Sequence, residues 1–282
     1  FQMLLDCPYG IILLSALVIL MLAYAFNGRA RFEIRCFLMF LTILFTSLIS
    51  LPFCSIASYF GHATSVVLST LRICSKWTGI KVEVRNFDEF LGKQDSSCVV
   101  ICNHQSAIDT IVVAHSYPSR CTVMMKKSLA FVPFFNVVAW LCNAIFVDRA
   151  KAMGTVEQCT EAMKKKNLKL WVFPEGTRNR SLDGLLPFKK GAFNIAVEAQ
   201  IPIVPVVASS FKCFYSHTEK YFYGDGEIIA QVMEPILTTG LTRDDVPTLT
   251  EEVREKMLVV YEKITGEINE RMTLKRGEKK QQ

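Results

Sequence analysis

The 282-residue chain holds only four histidines, and its ten cysteines include no Cys-x-x-Cys pair. The missing pair argues against a structural zinc site and against thioredoxin-like exchange. The scattered cysteines, most of them inside apolar runs, read as buried thiols of a reducing compartment. No Gly-x-Ser-x-Gly sequence occurs, which removes the usual signature of an α/β serine hydrolase. Nor does any helix-turn-helix pattern or basic-aromatic platform, so the formal charge of +6 does not read as a nucleic-acid surface.

Charge is also missing from two long stretches. Cys7 to Gly28 carries none. As a helix it would be about 33 Å long, against a bilayer core of about 30 Å. Cys36 to Phe60 carries none either, but it contains Pro52, which predicts a kinked or re-entrant second helix. Ala23-Tyr24-Ala25 resembles a signal-peptidase site, yet the residues before the apolar run include Asp6 and no lysine or arginine, which favours an uncleaved segment. Basic residues at 29, 31, 35, 72, 76 and 81 flank these stretches and prefer the cytosolic, anionic side of a membrane. The organisation that follows is a membrane segment over 1–61, an α/β domain over 62–272 and a basic tail over 273–282.

Beyond the membrane segment, residues 62–78 read as an amphipathic helix ended by Gly79, and 80–84 as a half-exposed strand. Strand patterns at 98–102, 121–125, 144–148, 168–173, 201–207 and 227–233 then alternate with helical patterns near 106–116, 129–142, 152–166, 189–199 and 249–272. Such alternation predicts a layered α/β domain with a mostly parallel central sheet flanked by helices. Thr248 and Glu251, after Pro247, read as the capping box of the last helix.

The polar clusters sit at strand exits. Asn103-His-Gln-Ser-Ala-Ile-Asp109 follows the apolar run 98–102. In one reading Asp109 orients the His104 imidazole, leaving its second nitrogen free to take a proton. In the other, Ser106-x-x-Asp109 caps a helix and His104 is a buried structural histidine. Phe173-Pro-Glu-Gly-Thr-Arg178 follows another strand. There Gly176 permits close backbone approach, Arg178 offers a bidentate fork for phosphate, and Glu175 suits an arginine or a substrate hydroxyl. Lys189 and Lys190, before a helix, make a second place for an anion. Lys126, Lys127 and Arg149 end two further strands. In a parallel sheet all these ends share one rim.

Taken in order, residues 103–109, Ile145–Arg149, 173–178 and Ile201–Val206 resemble the four sequence blocks of the glycerolipid acyltransferase family, the His-x4-Asp and Glu-Gly-Thr-Arg motifs among them. More narrowly they resemble its animal 1-acyl-sn-glycerol-3-phosphate acyltransferases. The resemblance covers about residues 75–265. It implies an acyl-CoA co-substrate, a lysophosphatidic acid acceptor, membrane lipid as surroundings, and neither metal nor cofactor in catalysis. It implies His104 as catalytic base and Asp109 as its partner. Lys126, Lys127, Arg149, Glu175, Gly176, Thr177 and Arg178 fall to substrate binding. Other acceptors, such as glycerol-3-phosphate or a different lysophospholipid, and a non-catalytic lipid-binding membrane protein, remain alternatives at this point. Lys279-Lys280-Gln281-Gln282 resembles a dilysine retrieval signal, which with the basic flanks predicts an endoplasmic-reticulum membrane protein whose domain faces the cytosol; a solvated basic tail is the other reading. Asn179-Arg-Ser181 matches a glycosylation sequon but lies inside the expected site.

Overall fold

The computed structural model describes residues 8–147, 159–161, 163 and 167–281. Arg149 and most of the helix expected at 152–166 fall outside them.

Each strand read from the sequence is present: β1 (Lys81–Arg85), β2 (Val99–Cys102), β3 (Cys121–Lys126), β4 (Ile145–Val147), β5 (Lys169–Val172), β6 (Ile203–Ala208) and β9 (Glu227–Val232). They form one sheet in the order β1-β9-β6-β2-β5-β3-β4. The pairs within β6-β2-β5-β3-β4 are parallel, β9 runs antiparallel to β6, and β1 is parallel to β9. The sheet is therefore mostly parallel, as expected. Central strands β2, β5 and β6 are buried along their whole length, which is why they read as unbroken apolar runs rather than alternating ones. β1 lies at the edge, and its alternating Lys-Val-Glu-Val-Arg fits a strand with one wet face. The sequence did not disclose a small hairpin, β7 (Tyr215–Ser216) and β8 (Tyr221–Phe222); its strands are too short to show a period.

Helices α4 (Asp109–Ser116), α5 (Phe135–Leu141) and α6 (Gly191–Ala199) follow β2, β3 and β5 in the chain. The long α7 (Val246–Gln281) buries Val253, Met257, Tyr261, Ile264 and Ile268 on one face, as the periodicity predicts. Its start differs from expectation. Thr242 with Asp245 makes a capping box on the 3-10 turn Arg243–Asp245 that leads directly into α7, and α7 begins at Val246, ahead of Thr248 and Glu251. Pro247 falls in the first turn of α7, where a helix needs no N–H. The helix also continues past residue 272, so most of the basic tail is helical.

At the N-terminus, α1 (Pro8–Phe26) and α2 (Gly28–Tyr59) precede α3 (Ala63–Cys74). Among the described residues α2 is the one helix long and apolar enough to cross a membrane. Its amphipathicity is inverted. Arg35, Thr42, Thr46, Ser47 and Ser50 are buried, while Phe37, Phe40, Phe45, Phe53 and Ile56 are exposed. A helix with its apolar face outward needs a lipid solvent on that side. The hydroxyls of Thr42, Ser47 and Ser50 bond to carbonyls one turn earlier, satisfying themselves within the helix. The helix α2 is continuous through Pro52 and runs on to Tyr59. Around Pro52 the helix is packed, through Leu51 and Cys54, on Ala63, Val66 and Val138; such neighbours support a helix that has lost one hydrogen bond.

The basic cluster at 29–35 also has structural duties. Arg31 donates to the Tyr24 and Ala25 carbonyls (3.0 and 2.7 Å), capping the end of α1. Arg35 is buried; it donates to the Thr78 carbonyl (2.9 Å) and lies over the rings of Phe222 and Trp77. It fastens α2 to the α/β domain. Gly79 adjoins this junction at φ +72°, and a Cβ there would meet the Gly224 carbonyl oxygen at 1.6 Å. Glycine is therefore required twice over, by conformation and by space.

Candidate active site

Beyond the end of β2 the chain is held on both sides by side chains. Asn103 exchanges two hydrogen bonds with the backbone of Ala208 at the exit of β6 (3.0 and 2.8 Å). Gln105 donates to the Ser209 carbonyl (2.9 Å) and accepts from the Phe211 N–H (3.2 Å). Both residues are buried. They prolong the β2–β6 pairing past the last backbone ladder, and His104 stands between them.

His104 itself is fixed at both main-chain groups. Its N–H donates to Glu175 Oε1 (2.8 Å), and its carbonyl accepts from the Asn179 N–H (2.7 Å). The Glu-Gly-Thr-Arg loop after β5 thus clasps the His-x4-Asp turn after the neighbouring β2. The imidazole stacks on Phe173 at 4.2 Å between centroids, 21° from parallel, and keeps 21% of its side-chain surface open.

His104 Nδ1 lies 2.7 Å from Asp109 Oδ2. A carboxylate has no hydrogen to give, so Nδ1 carries the proton and Nε2 has a free lone pair. Asp109 Oδ2 also accepts from the backbone N–H groups of Gln105 and Ser106 (2.7 and 2.8 Å), while Ser106 Oγ accepts from the Ile108 N–H (3.0 Å). The dyad and the helix cap are therefore not alternatives. One buried carboxylate oxygen closes the turn before α4 and orients the imidazole.

Glu175 has a different place from the one the motif suggested. It is 2% exposed, and its second oxygen accepts from the Leu186 N–H (3.2 Å). Both oxygens serve the backbone, so Glu175 positions the catalytic loop instead of facing an acceptor. Burial raises its carboxyl to about 7; the His104 and Leu186 N–H groups and Arg254 oppose that rise, and Asp109 adds to it. The raised value implies proton uptake on folding. This group's contribution to stability is full below its ordinary value of 4.5 and is lost as pH climbs through about 7. Wild-type stability should decline across that window by up to about 3 kcal/mol from this group, and Glu175→Gln should flatten the decline. Thermal melts from pH 5 to 8 in detergent check this, and equal slopes for the two proteins would refute it.

Gly176 has φ +67°, and a Cβ on it would press into Lys189 at 2.8 Å. The stem of Lys189 therefore crosses directly over the loop, held by its own N–H to the Pro174 carbonyl (2.8 Å). Thr177 and Arg178 are exposed, immediately before the Asn179 that bonds to His104. Lys126 and Lys127 are exposed at the end of β3, beyond β5 on the same rim. Parallel pairing thus brings the residues read from the motifs to one edge, except Arg149, which lies outside the described residues.

The β7–β8 hairpin adds what the motifs did not reveal. Burial pushes the Tyr215 phenol up to about 12, with Arg178 and Arg180 pulling it back. His217 is held below its ordinary value by burial and by the charges of Lys220, Arg180 and Arg178. The rim beside Arg178 is thus more cationic than its motif shows. Phe173, Asn103 and Gln105 were visible as motif neighbours; nothing in the sequence marks Tyr215 or His217. The sequon is structural: Asn179 is buried, donates to the Gly184 carbonyl (2.9 Å) and accepts from Ser181 Oγ (2.7 Å).

Two surface cavities, of about 590 and 580 Å³, lie elsewhere, one between β1 and α7 and one beside Leu182 and Tyr261. Neither is lined by His104 or Asp109.

The Acyltransferase family model matches residues 81–209. The nematode protein acl-2 (Caenorhabditis elegans), grouped by name with the 1-acyl-sn-glycerol-3-phosphate acyltransferases, is 42% identical over 276 residues, 96% of each chain. The human 1-acyl-sn-glycerol-3-phosphate acyltransferase beta is 36% identical over 255 residues, 88% of each chain. The chain belongs to the 1-acyl-sn-glycerol-3-phosphate acyltransferase family. Its fold matches the crystal structure of the 1-acyl-sn-glycerophosphate (LPA) acyltransferase of Thermotoga maritima, with a TM-score of 0.61 at 21% identity, covering 84% of this chain and 98% of that one.

Proposed function

We propose that the protein transfers an acyl group from acyl-CoA to the sn-2 hydroxyl of lysophosphatidic acid, giving phosphatidic acid and CoA. The observation that carries this reading is the His104–Asp109 contact held by the Glu175 loop. The acceptor's phosphate sits on the cationic rim at Arg178, with Lys126 and Lys127 on its far side and Arg149 as a further candidate. The free hydroxyl then meets His104 Nε2. As the hydroxyl oxygen attacks the thioester carbonyl, its proton passes to Nε2 and Asp109 stabilises the imidazolium. The tetrahedral intermediate collapses with loss of the CoA thiolate, which takes the proton back from His104. Atoms and charge balance without a covalent enzyme intermediate. No cofactor enters these steps.

The outward apolar face of α2 supports a membrane-held enzyme whose acceptor stays in the leaflet. We place the catalytic domain on the cytosolic side of its membrane, on the basic flank at Arg29. Protection of the C-terminus from protease in sealed microsomes would overturn that orientation.

Arg178→Ala should raise the KM for lysophosphatidic acid about ten- to a hundredfold, with a much smaller change for acyl-CoA. Steady-state kinetics with each substrate varied in turn test this. A change confined to acyl-CoA would move the phosphate site away from Arg178. Comparing lysophosphatidic acid with glycerol-3-phosphate and other lysophospholipids, at one acyl-CoA, tests the acceptor.

A further inference from the structure

The sequence carries no charge between Lys127 and Asp148. The structure folds this stretch into a short 3-10 turn (Lys127–Phe131), a bend through Pro133 and Phe134, and α5. Phe134 has φ +62°, a conformation that a bulky residue adopts only under constraint. The turn exposes a cluster of large apolar side chains: Phe131 (80%), Trp140 (72%), Phe134 and Val137. The opposite side of α5 is buried, with Val138 packed on Cys54 of α2 and Ala63 of α3. On α2, the exposed Phe53 and Ile56 flank that same Cys54. The apolar outside of α2 and the aromatic knuckle of α5 thus meet across one seam, and Lys126 and Lys127 stand at the knuckle's base.

We propose that residues 128–141 form a second, interfacial membrane contact, in which Phe131, Phe134 and Trp140 enter the leaflet that receives the apolar face of α2. The occupant is a lipid bilayer with anionic headgroups. Three features of the surface choose it. The patch continues a helix face that already requires lipid. Its exposed residues are aromatic and aliphatic, with a tryptophan, the composition of the membrane–water boundary. The charges at its edge are lysines, whose stems can lie along lipid chains while the ammonium groups reach phosphates. The contact rests on the reading of the chain as a membrane-held acyltransferase and deepens it. Anchored by α2 alone, the catalytic domain is free to tilt. Held at two places, the strand-exit rim is fixed against the headgroups, where an acceptor phosphate in the leaflet can meet Arg178 without leaving the lipid.

The experiment uses the full chain in phosphatidylcholine–phosphatidate vesicles, with and without dibrominated acyl chains. Trp171 is fully buried, so Trp140 and Trp77 supply the environment-sensitive emission. Wild-type emission should fall in brominated vesicles by clearly more than that of Trp140→Phe, and the Trp140 component should resist aqueous iodide. Equal quenching of the two proteins by bromine, or ready quenching of Trp140 by iodide, overturns the proposal. Shielding of Trp140 from both quenchers means that a second protein copy covers the patch and overturns it too. As a second readout, the double variant Phe131→Ser, Trp140→Ser should raise the apparent KM for vesicle-borne lysophosphatidic acid about tenfold while sparing turnover of a short-chain, water-dispersed acceptor. Bromine quenching in a wild-type protein that transfers no acyl group would sink the proposed function and leave the membrane contact standing.

Discussion

His104→Ala should lower CoA release by about 10²- to 10⁴-fold, the range expected when a positioned general base is removed. The protein should remain folded. The structural bonds at this position are made by the main chain, with the N–H on Glu175 and the carbonyl on Asn179, and alanine keeps both. Asp109 retains its two backbone donors, Gln105 and Ser106. What is lost is the stacking on Phe173 and the bond to Nδ1, a cost of about 1–2 kcal/mol. Chromatographic measurement of CoA, with a melting curve on the same sample, separates the two effects. Turnover within tenfold of wild type would remove His104 from the mechanism.

The second large effect is expected from Asp109→Asn. The side-chain shape is nearly unchanged, so the turn before α4 should survive. Two things change. The imidazolium formed during transfer loses its counter-charge, and an amide N–H₂ turned toward Nδ1 would force the ring proton onto Nε2, where the base must be, and would also face the Gln105 and Ser106 N–H donors. The alternative orientation puts the N–H₂ where Oδ1 is now, buried and without a partner among the described residues, at a cost of about 1–3 kcal/mol. Activity should therefore fall by about 10²- to 10⁴-fold with only modest destabilisation. A turn-closing role alone would lower the melting temperature and spare turnover, so near-normal turnover in a destabilised Asp109→Asn protein would reduce Asp109 to a structural residue.

Legibility followed periodicity and burial. β2, β5 and β6 are sealed on both faces, and their apolar runs could be read almost to the residue. β1 was legible because one face is wet. The β7–β8 hairpin escaped because two-residue strands have no pattern, and with it went Tyr215 and His217. The start of α7 was misplaced because two capping patterns lie close together there, at 242–245 and 248–251. Thr242 with Asp245 wins, and Pro247 then fits the first turn.

The sequence by itself determined the chemistry: a histidine and an aspartate at a strand exit, a glycine loop ending in arginine after another strand, and an uncharged helix to hold them at a membrane. Side-chain type and chain-local spacing are enough for that. Only the tertiary structure decided the work of each carboxylate. Glu175 and Asp109 look equally fit to face a substrate in a one-dimensional string. Parallel pairing of β2 with β5 brings the two loops together, and burial then requires both carboxylates to satisfy backbone N–H groups. One of them, Asp109, also reaches the imidazole. Likewise only packing reveals that α2 turns its polar face inward, because which side of a helix meets protein and which meets lipid is a property of its neighbours.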